Sequence, residues 1–149
     1  ENCKEDDIPI LKRSGGGGAV VLHPGCVILS VGMWVKSYYR NAEYFKLIND
    51  AVIESLKNQH SEFTDLSQNG ISDITLKGRK IAGTSLFRSR NYLLYQASVL
   101  VDSKLELIER YLGHPTQEPS YREGKSHKDF LAGYLPRKPL CKKCIEPRF

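Results

Sequence analysis

The chain of 149 residues has no apolar run long enough to cross a bilayer. Its longest stretch, Cys26 to Val35, is broken by Ser30 and Gly32, and a spanning helix needs roughly 20 apolar residues. The acidic start (Glu1, Glu5, Asp6, Asp7) has no basic segment of the kind that opens a secretory signal. The cysteines are few and uneven: Cys3, Cys26, Cys141 and Cys144 make no disulfide framework. Reduced thiols and a cytoplasmic location are therefore expected, with no membrane partner. Cys141-Lys-Lys-Cys144 has the inner spacing of a zinc site, but no second Cys/His pair accompanies it, and one such pair is a weak signal. The histidines (His23, His60, His114, His127) form no spaced cluster, and none sits by a nucleophile-elbow serine. No Gly-Lys-Ser/Thr phosphate loop is present.

The net charge is +5, with 22 basic against 17 acidic residues. Residues 136–149 alone hold five basic residues and one acid, leaving a nearly neutral body. Nucleic-acid binding needs a basic face on the fold itself, so no nucleic-acid partner is expected. Charged residues at 26% beside 40% hydrophobic residues describe a folded domain, and this length can bury a core without disulfides or metal.

The periodicity predicts strands over Ile8–Arg13, Ala19–His23 and Cys26–Trp34, the last two forming a hairpin around a Pro24-Gly25 turn. Both runs are nearly continuously apolar, which predicts a sheet covered on both faces. Phe45, Ile48, Val52 and Leu56 predict a helix over Asn41–Lys57. Residues 60–70 read as a loop. Ser72–Lys77, Arg79–Arg90 and Tyr92–Val101 read as strands, with turns at Lys77-Gly78 and Asn91. Ser103-Lys104-Leu105-Glu106 fits a capping box before a short helix that Gly113 would end in a left-handed conformation. The irregular mixture of elements, without a βαβ rhythm, is an α+β pattern.

Three places carry possible chemistry. Arg13-Ser14-Gly15-Gly16-Gly17-Gly18-Ala19 offers close backbone approach and positive φ to an anion, with an arginine beside it; it also suits a plain flexible loop. Lys80, in Gly78-Arg79-Lys80-Ile81-Ala82-Gly83-Thr84-Ser85, shares a strand face with the small residues Ala82 and Thr84, leaving space above an ammonium aimed at an anion. A solvated edge-strand lysine gives the same pattern. Asp73, near Thr84 if the two strands pair, could hold a magnesium ion or a ribose, or cap the strand entry.

Together these segments resemble the lipoate–protein ligase family, within the group of biotin and lipoate ligases and octanoyltransferases. Arg13 to Val20 resembles its Arg-x-x-Gly-Gly-Gly-x-Val segment, and Pro24-Gly25 a turn found in part of the group. Ser72-Asp73-Ile74 resembles its Asn/Ser-Asp-Leu/Ile step, and Gly78 to Ser85 its Arg-Lys-hydrophobic-Ser/Ala-Gly-Ser/Asn signature. Tyr121 to Phe130 looks like the segment after the last helix in one ligase subgroup. The resemblance implies a mixed, largely antiparallel sheet with flanking helices, similar to the class II aminoacyl-tRNA synthetase core. It implies that ATP and lipoate give lipoyl-AMP, and that the acyl group passes to a lysine of a lipoyl acceptor domain, of a 2-oxoacid dehydrogenase complex or the glycine cleavage H protein.

Lys80 would be the catalytic residue. Arg13, Ser14, Gly15, Gly16, Gly17, Gly18, Ala19, Ser72, Asp73, Gly83, Thr84 and Gln96 would bind substrate and adenylate, with Asp73 the possible magnesium ligand. Gln96-Ala97 stands where many ligases have His-Gly. The family's segment ahead of the glycine loop is expected to be missing, so residues 1–135 read as a partial catalytic domain and 136–149 as a basic tail. A shifted reading frame or truncated gene end would account for that tail. An octanoyl- or lipoyltransferase using a cysteine, and a non-catalytic lipoate- or adenylate-binding fragment, are the alternative readings.

Overall fold

The computed structural model describes residues 1–36, 40–59 and 61–133. The cysteine pair at 141 and 144, the tail from 136 and His60 lie outside the described residues. Five antiparallel strands form one sheet: β1 (Cys26–Trp34), β2 (Leu66–Asn69), β3 (Asp73–Leu76), β4 (Arg79–Ser89) and β5 (Tyr92–Leu100), in the order β1-β5-β4-β3-β2. The helices are α1 (Asn2–Glu5), α2 (Asn41–Gln59), α3 (Leu105–Tyr111) and α4 (His127–Phe130). The expected α+β architecture, a largely antiparallel sheet with flanking helices, is what forms.

The period-3.6 stripe of α2 lies on one sheet face. Ile48, Ile53 and Leu56 are buried there against Ile74, Ala82, Leu93, Tyr95, Ala97 and Val99, which the register places on that same side. Polar bonds pin this packing. Tyr95 Oη donates to Asn49 Oδ1 (2.6 Å), and Asn49 Nδ2 donates to Gln68 Oε1 (3.0 Å) and the Ser72 carbonyl (3.2 Å). Burial pushes the Tyr95 phenol pKa up, so it remains a donor at ordinary pH.

Several expectations are corrected. Residues 8–13 and 19–23 are not strands, and β1 pairs with β5 along all nine residues rather than with 19–23 in a hairpin. β-branched residues favour a strand only where a neighbour accepts their ladder; Ile10, Leu11, Val20 and Leu22 are exposed instead. The sheet is not covered on both faces along β1. Leu29, Val31 and Met33 pack toward α2, while Ile28, Ser30, Gly32 and Trp34 alternate outward and are exposed. The expected loop over 60–70 contains a 3₁₀ turn (Ser61–Phe63) and β2, anchored by buried Phe63 and Leu66. Its other residues are polar, which hid the strand.

The capping box at Ser103 does not form. Lys104 is the N-cap, and Ser103 Oγ is buried without a partner. A side-chain cap forms at α4 instead, where Ser126 Oγ accepts from the Asp129 amide (3.2 Å). Gly113 does not take the left-handed conformation, since α3 ends as Leu112 turns extended. The expected turns are present. Lys77 (φ 50°) and Gly78 (φ 74°) both have positive φ, as a tight hairpin demands. In the Pro24-Gly25 turn, a Cβ on Gly25 would lie 1.9 Å from the Asp102 carbonyl oxygen, so only glycine fits there.

Candidate functional site

The sheet face away from α2 carries the candidate site, and a β-bulge decides which residues reach it. Thr75 pairs with Lys80 but Ile74 with Ala82, so β4 has one extra residue, Ile81, at this point. In an unbroken strand Lys80 would share a face with Ala82 and Thr84. The bulge breaks that alternation and corrects the expectation. Ala82 packs in the core beneath α2, and Lys80 rises on the opposite face with Thr75 and Gly83. A Cβ on Gly83 would come within 3.2 Å of both Lys80 Cε and Nζ, so the lysine stem lies across that glycine.

Lys80 Nζ is 2.7 Å from Asp73 Oδ1. Both side chains are largely buried, at 24% and 14% exposed, so solvent screens this pair far less than a surface pair. Asp73 Oδ2 accepts a hydrogen bond from Tyr121 Oη at 2.7 Å. Burial, then the Asp73 contact, raises the Tyr121 phenol pKa and keeps it protonated. The Phe130 ring lies 6.0 Å from Lys80 Nζ and 5.1 Å from the Tyr121 ring. The backbone closes the corner: the Ala132 amide donates to the Lys80 carbonyl (2.9 Å), and the Arg79 guanidinium donates to the Lys128 carbonyl.

The glycine loop rests on the same face. Gly15 lies against Ser85, where a Cβ would meet Oγ at 2.8 Å. Ser85 pairs with Gln96, and Gln96 Nε2 is 3.5 Å from Ser30 Oγ, so Gln96 belongs to this face. Arg13 turns inward. Its Nη2 donates to the Gly16 and Gly18 carbonyls, both at 2.8 Å, and Gly17 takes φ 94° beside it. The arginine thus shapes the loop.

The structure therefore gathers Lys80, Asp73, Gly83 and Gln96 on one face with Gly15 and its loop. Thr84 is not among them. It lies on the α2 side, where its Oγ1 donates to the Ser72 carbonyl at 2.7 Å, and it is Ser72 rather than Asp73 that meets it. Ser14 and Ala19 are exposed on the loop. Sequence reasoning assigned no role to Tyr121, Phe130 or Ser85; the signal was the resemblance of the Tyr121–Phe130 segment to one ligase subgroup and of Gly78–Ser85 to the family signature. Each Asp73 oxygen has one partner and a further lone pair, and no three His, Cys, Asp or Glu side chains converge among the described residues, so a magnesium ion held at Asp73 would take its other ligands from phosphate and water. The ammonium has three hydrogens and one carboxylate partner, so it can also bind substrate oxygens while its charge opposes charge developing on them.

The model of the lipoyl protein ligase A/B catalytic domain matches residues 1–133. A lipoate–protein ligase of Streptococcus pyogenes is 28% identical over 112 residues, covering 75% of this chain and 32% of the relative. The archaeal bipartite lipoate protein ligase of Thermoplasma acidophilum, studied with its E2 lipoyl domain, superposes with a TM-score of 0.73 at 24% identity, over 88% of this chain and 51% of that one. A lipoate-protein ligase A bound with ATP superposes with a TM-score of 0.65 at 26% identity, over 86% and 53%. The chain spans about a third of the length of the curated relatives it matches.

Proposed function

Because the chain belongs to the lipoyl protein ligase A/B catalytic-domain family, we propose that it carries the catalytic face of a lipoate–protein ligase. In this reading the lipoate carboxylate attacks the α-phosphate of ATP and pyrophosphate leaves. The ε-amine of an acceptor lysine then attacks the lipoyl carbonyl and AMP leaves. The observation that carries the reading is the Lys80 ammonium, held by Asp73 beside Gly83 on a face the glycine loop also touches. Lys80 stabilises charge on the phosphate oxygens in the first step and on the carbonyl oxygen in the second. The Gly15–Gly18 backbone, braced by Arg13, lines the substrate, and Gln96 supplies a neutral hydrogen-bonding group from β5. Positioning does much of the work, since the mixed anhydride is already reactive. The acceptor is a lipoyl domain of the kind carried by 2-oxoacid dehydrogenase complexes or the glycine cleavage H protein.

Lipoate-dependent exchange of labelled pyrophosphate into ATP tests the first step, and transfer from preformed lipoyl-AMP to a lipoyl domain tests the second. Acyl transfer from a carrier without ATP would instead identify a transferase. The described cysteines do not favour that outcome: Cys3 is on α1, and Cys26 packs against the apolar cluster of Leu100, Ile108, Phe130 and Leu131. Lipoate binding with neither activity would identify a binding module.

A further inference from the structure

The Lys80 corner has a second layer. The Asp73 carboxylate is held at both ends, by Lys80 on one oxygen and the Tyr121 hydroxyl on the other. Tyr121 is itself fixed in place. Its ring packs on Phe130, whose ring also lies 4.8 Å from the Arg122 guanidinium. Arg122 is only 4% exposed and is held by the Lys125 carbonyl (3.1 Å) and by Glu118 (3.4 Å). On the other side, the Gly70 turn comes close to Pro119 and Tyr121. Phenylalanine would fill the ring's space equally well. What the hydroxyl adds is one donor aimed at Asp73, 48 residues away in sequence.

We infer that Tyr121 is a positioning residue for Lys80, acting through Asp73. It fixes the carboxylate in the orientation that anchors the ammonium beside Gly83, so that the remaining ammonium hydrogens are free for substrate oxygens. The inference rests on the ligase reading for what Lys80 acts upon, but the placement of Lys80 stands without it. Lysine gains much rotamer freedom when released. An Asp73 carboxylate held at one oxygen only is free to turn and take its partner with it.

The test uses the 149-residue chain and a short pulse of an amine-acylating reagent, with each lysine read by mass spectrometry. In Tyr121→Phe, Lys80 should be labelled about tenfold faster, the factor expected for losing a hydrogen bond to a charged group. Asp73→Asn should do at least as much, and Lys46 on α2 should be unchanged. Tyr121→Leu, which also lacks the hydroxyl, should match Tyr121→Phe. If Leu accelerates labelling and Phe does not, ring packing holds the corner and the inference is overturned; wild-type labelling in both overturns it as well. In pyrophosphate exchange, Tyr121→Phe should lower kcat about tenfold with KM for lipoate and ATP unchanged. Absence of exchange in the unsubstituted chain would defeat the ligase reading while leaving the labelling result to stand or fall by itself.

Discussion

Two regions meet the same sheet face within two residues of each other on β4: the Lys80 corner at Gly83 and the glycine loop at Ser85. They are ordered by opposite means. The corner is knit from distant segments, with Asp73 on β3, Lys80 on β4, Tyr121 after α3 and Phe130 on α4, and its charges are largely withdrawn from water. The loop is ordered from within, by one arginine that donates to carbonyls three and five residues away, and it touches the sheet at Gly15. In the proposed reading, charge whose placement must be accurate stands on strands, while the part that would accommodate a substrate is a short self-braced loop. This is the division expected when rigid elements carry catalysis and loops carry recognition.

The sharpest way to break the comparison is to remove the charge. Lys80→Ala should reduce lipoate-dependent pyrophosphate exchange by about 10²–10³-fold, the cost of losing one well-placed electrostatic donor, and lower the melting temperature, because it leaves the largely buried Asp73 carboxylate without its cation. Exchange at the parent rate would show that Lys80 has no part in adenylation.

A smaller effect is expected at the loop, and it should depend on position. Valine at Gly15 would press into Ser85 and lift the loop, whereas Gly18 has open space where its Cβ would be. Gly15→Val should raise KM for lipoate about tenfold, in line with the usual cost of overpacking, and Gly18→Val should leave it unchanged. Equal effects at both positions would mean that the contact with β4 does not organise the loop.

The smallest effect lies outside both regions. Asp6 accepts from Arg110 Nε (2.6 Å) and Tyr111 Oη (2.8 Å), which ties α1 to α3 at the surface. The Arg110 hydrogen bond, followed by that of Tyr111, lowers the Asp6 carboxyl pKa. A depressed folded-state value means the stabilisation is present above the unfolded carboxyl pKa and is lost as pH falls through the folded one. Asp6→Asn should therefore slightly weaken amide-exchange protection of α1 at neutral pH and make no difference in strong acid. High salt should shrink the effect, and exchange kinetics at Lys80 should not respond.

Much of the fold was legible in local pattern. The α2 stripe, the Lys77-Gly78 turn and the long β4–β5 hairpin each declare themselves within a few residues, because period and turn chemistry act locally. The remainder depends on partners remote in sequence. β1 reads as half of a hairpin with 19–23, yet its partner begins at Tyr92. β2 is nearly all polar and exists because β3 offers a ladder. For the site, Lys80 and Asp73 could be named from their setting, but their mutual contact could not, and the Tyr121 hydrogen bond spans a separation no pattern reports. Thr84 was misplaced for one reason: a bulge leaves no mark in a run such as Lys80-Ile81-Ala82.

That bulge gives the site a parity. Lys80 and Gly83 are three positions apart, an odd count that strict alternation would send to opposite sides of the sheet. One supernumerary residue turns odd into even, and the ammonium emerges on the open side instead of beneath α2. Deleting Ile81 would leave Lys80 and Gly83 two positions apart, an even count that regular alternation keeps on one face, so the ammonium would stay beside Asp73; straightening the strand with Ile81 still in it would instead turn Lys80 into the core and leave Asp73 behind on the other side.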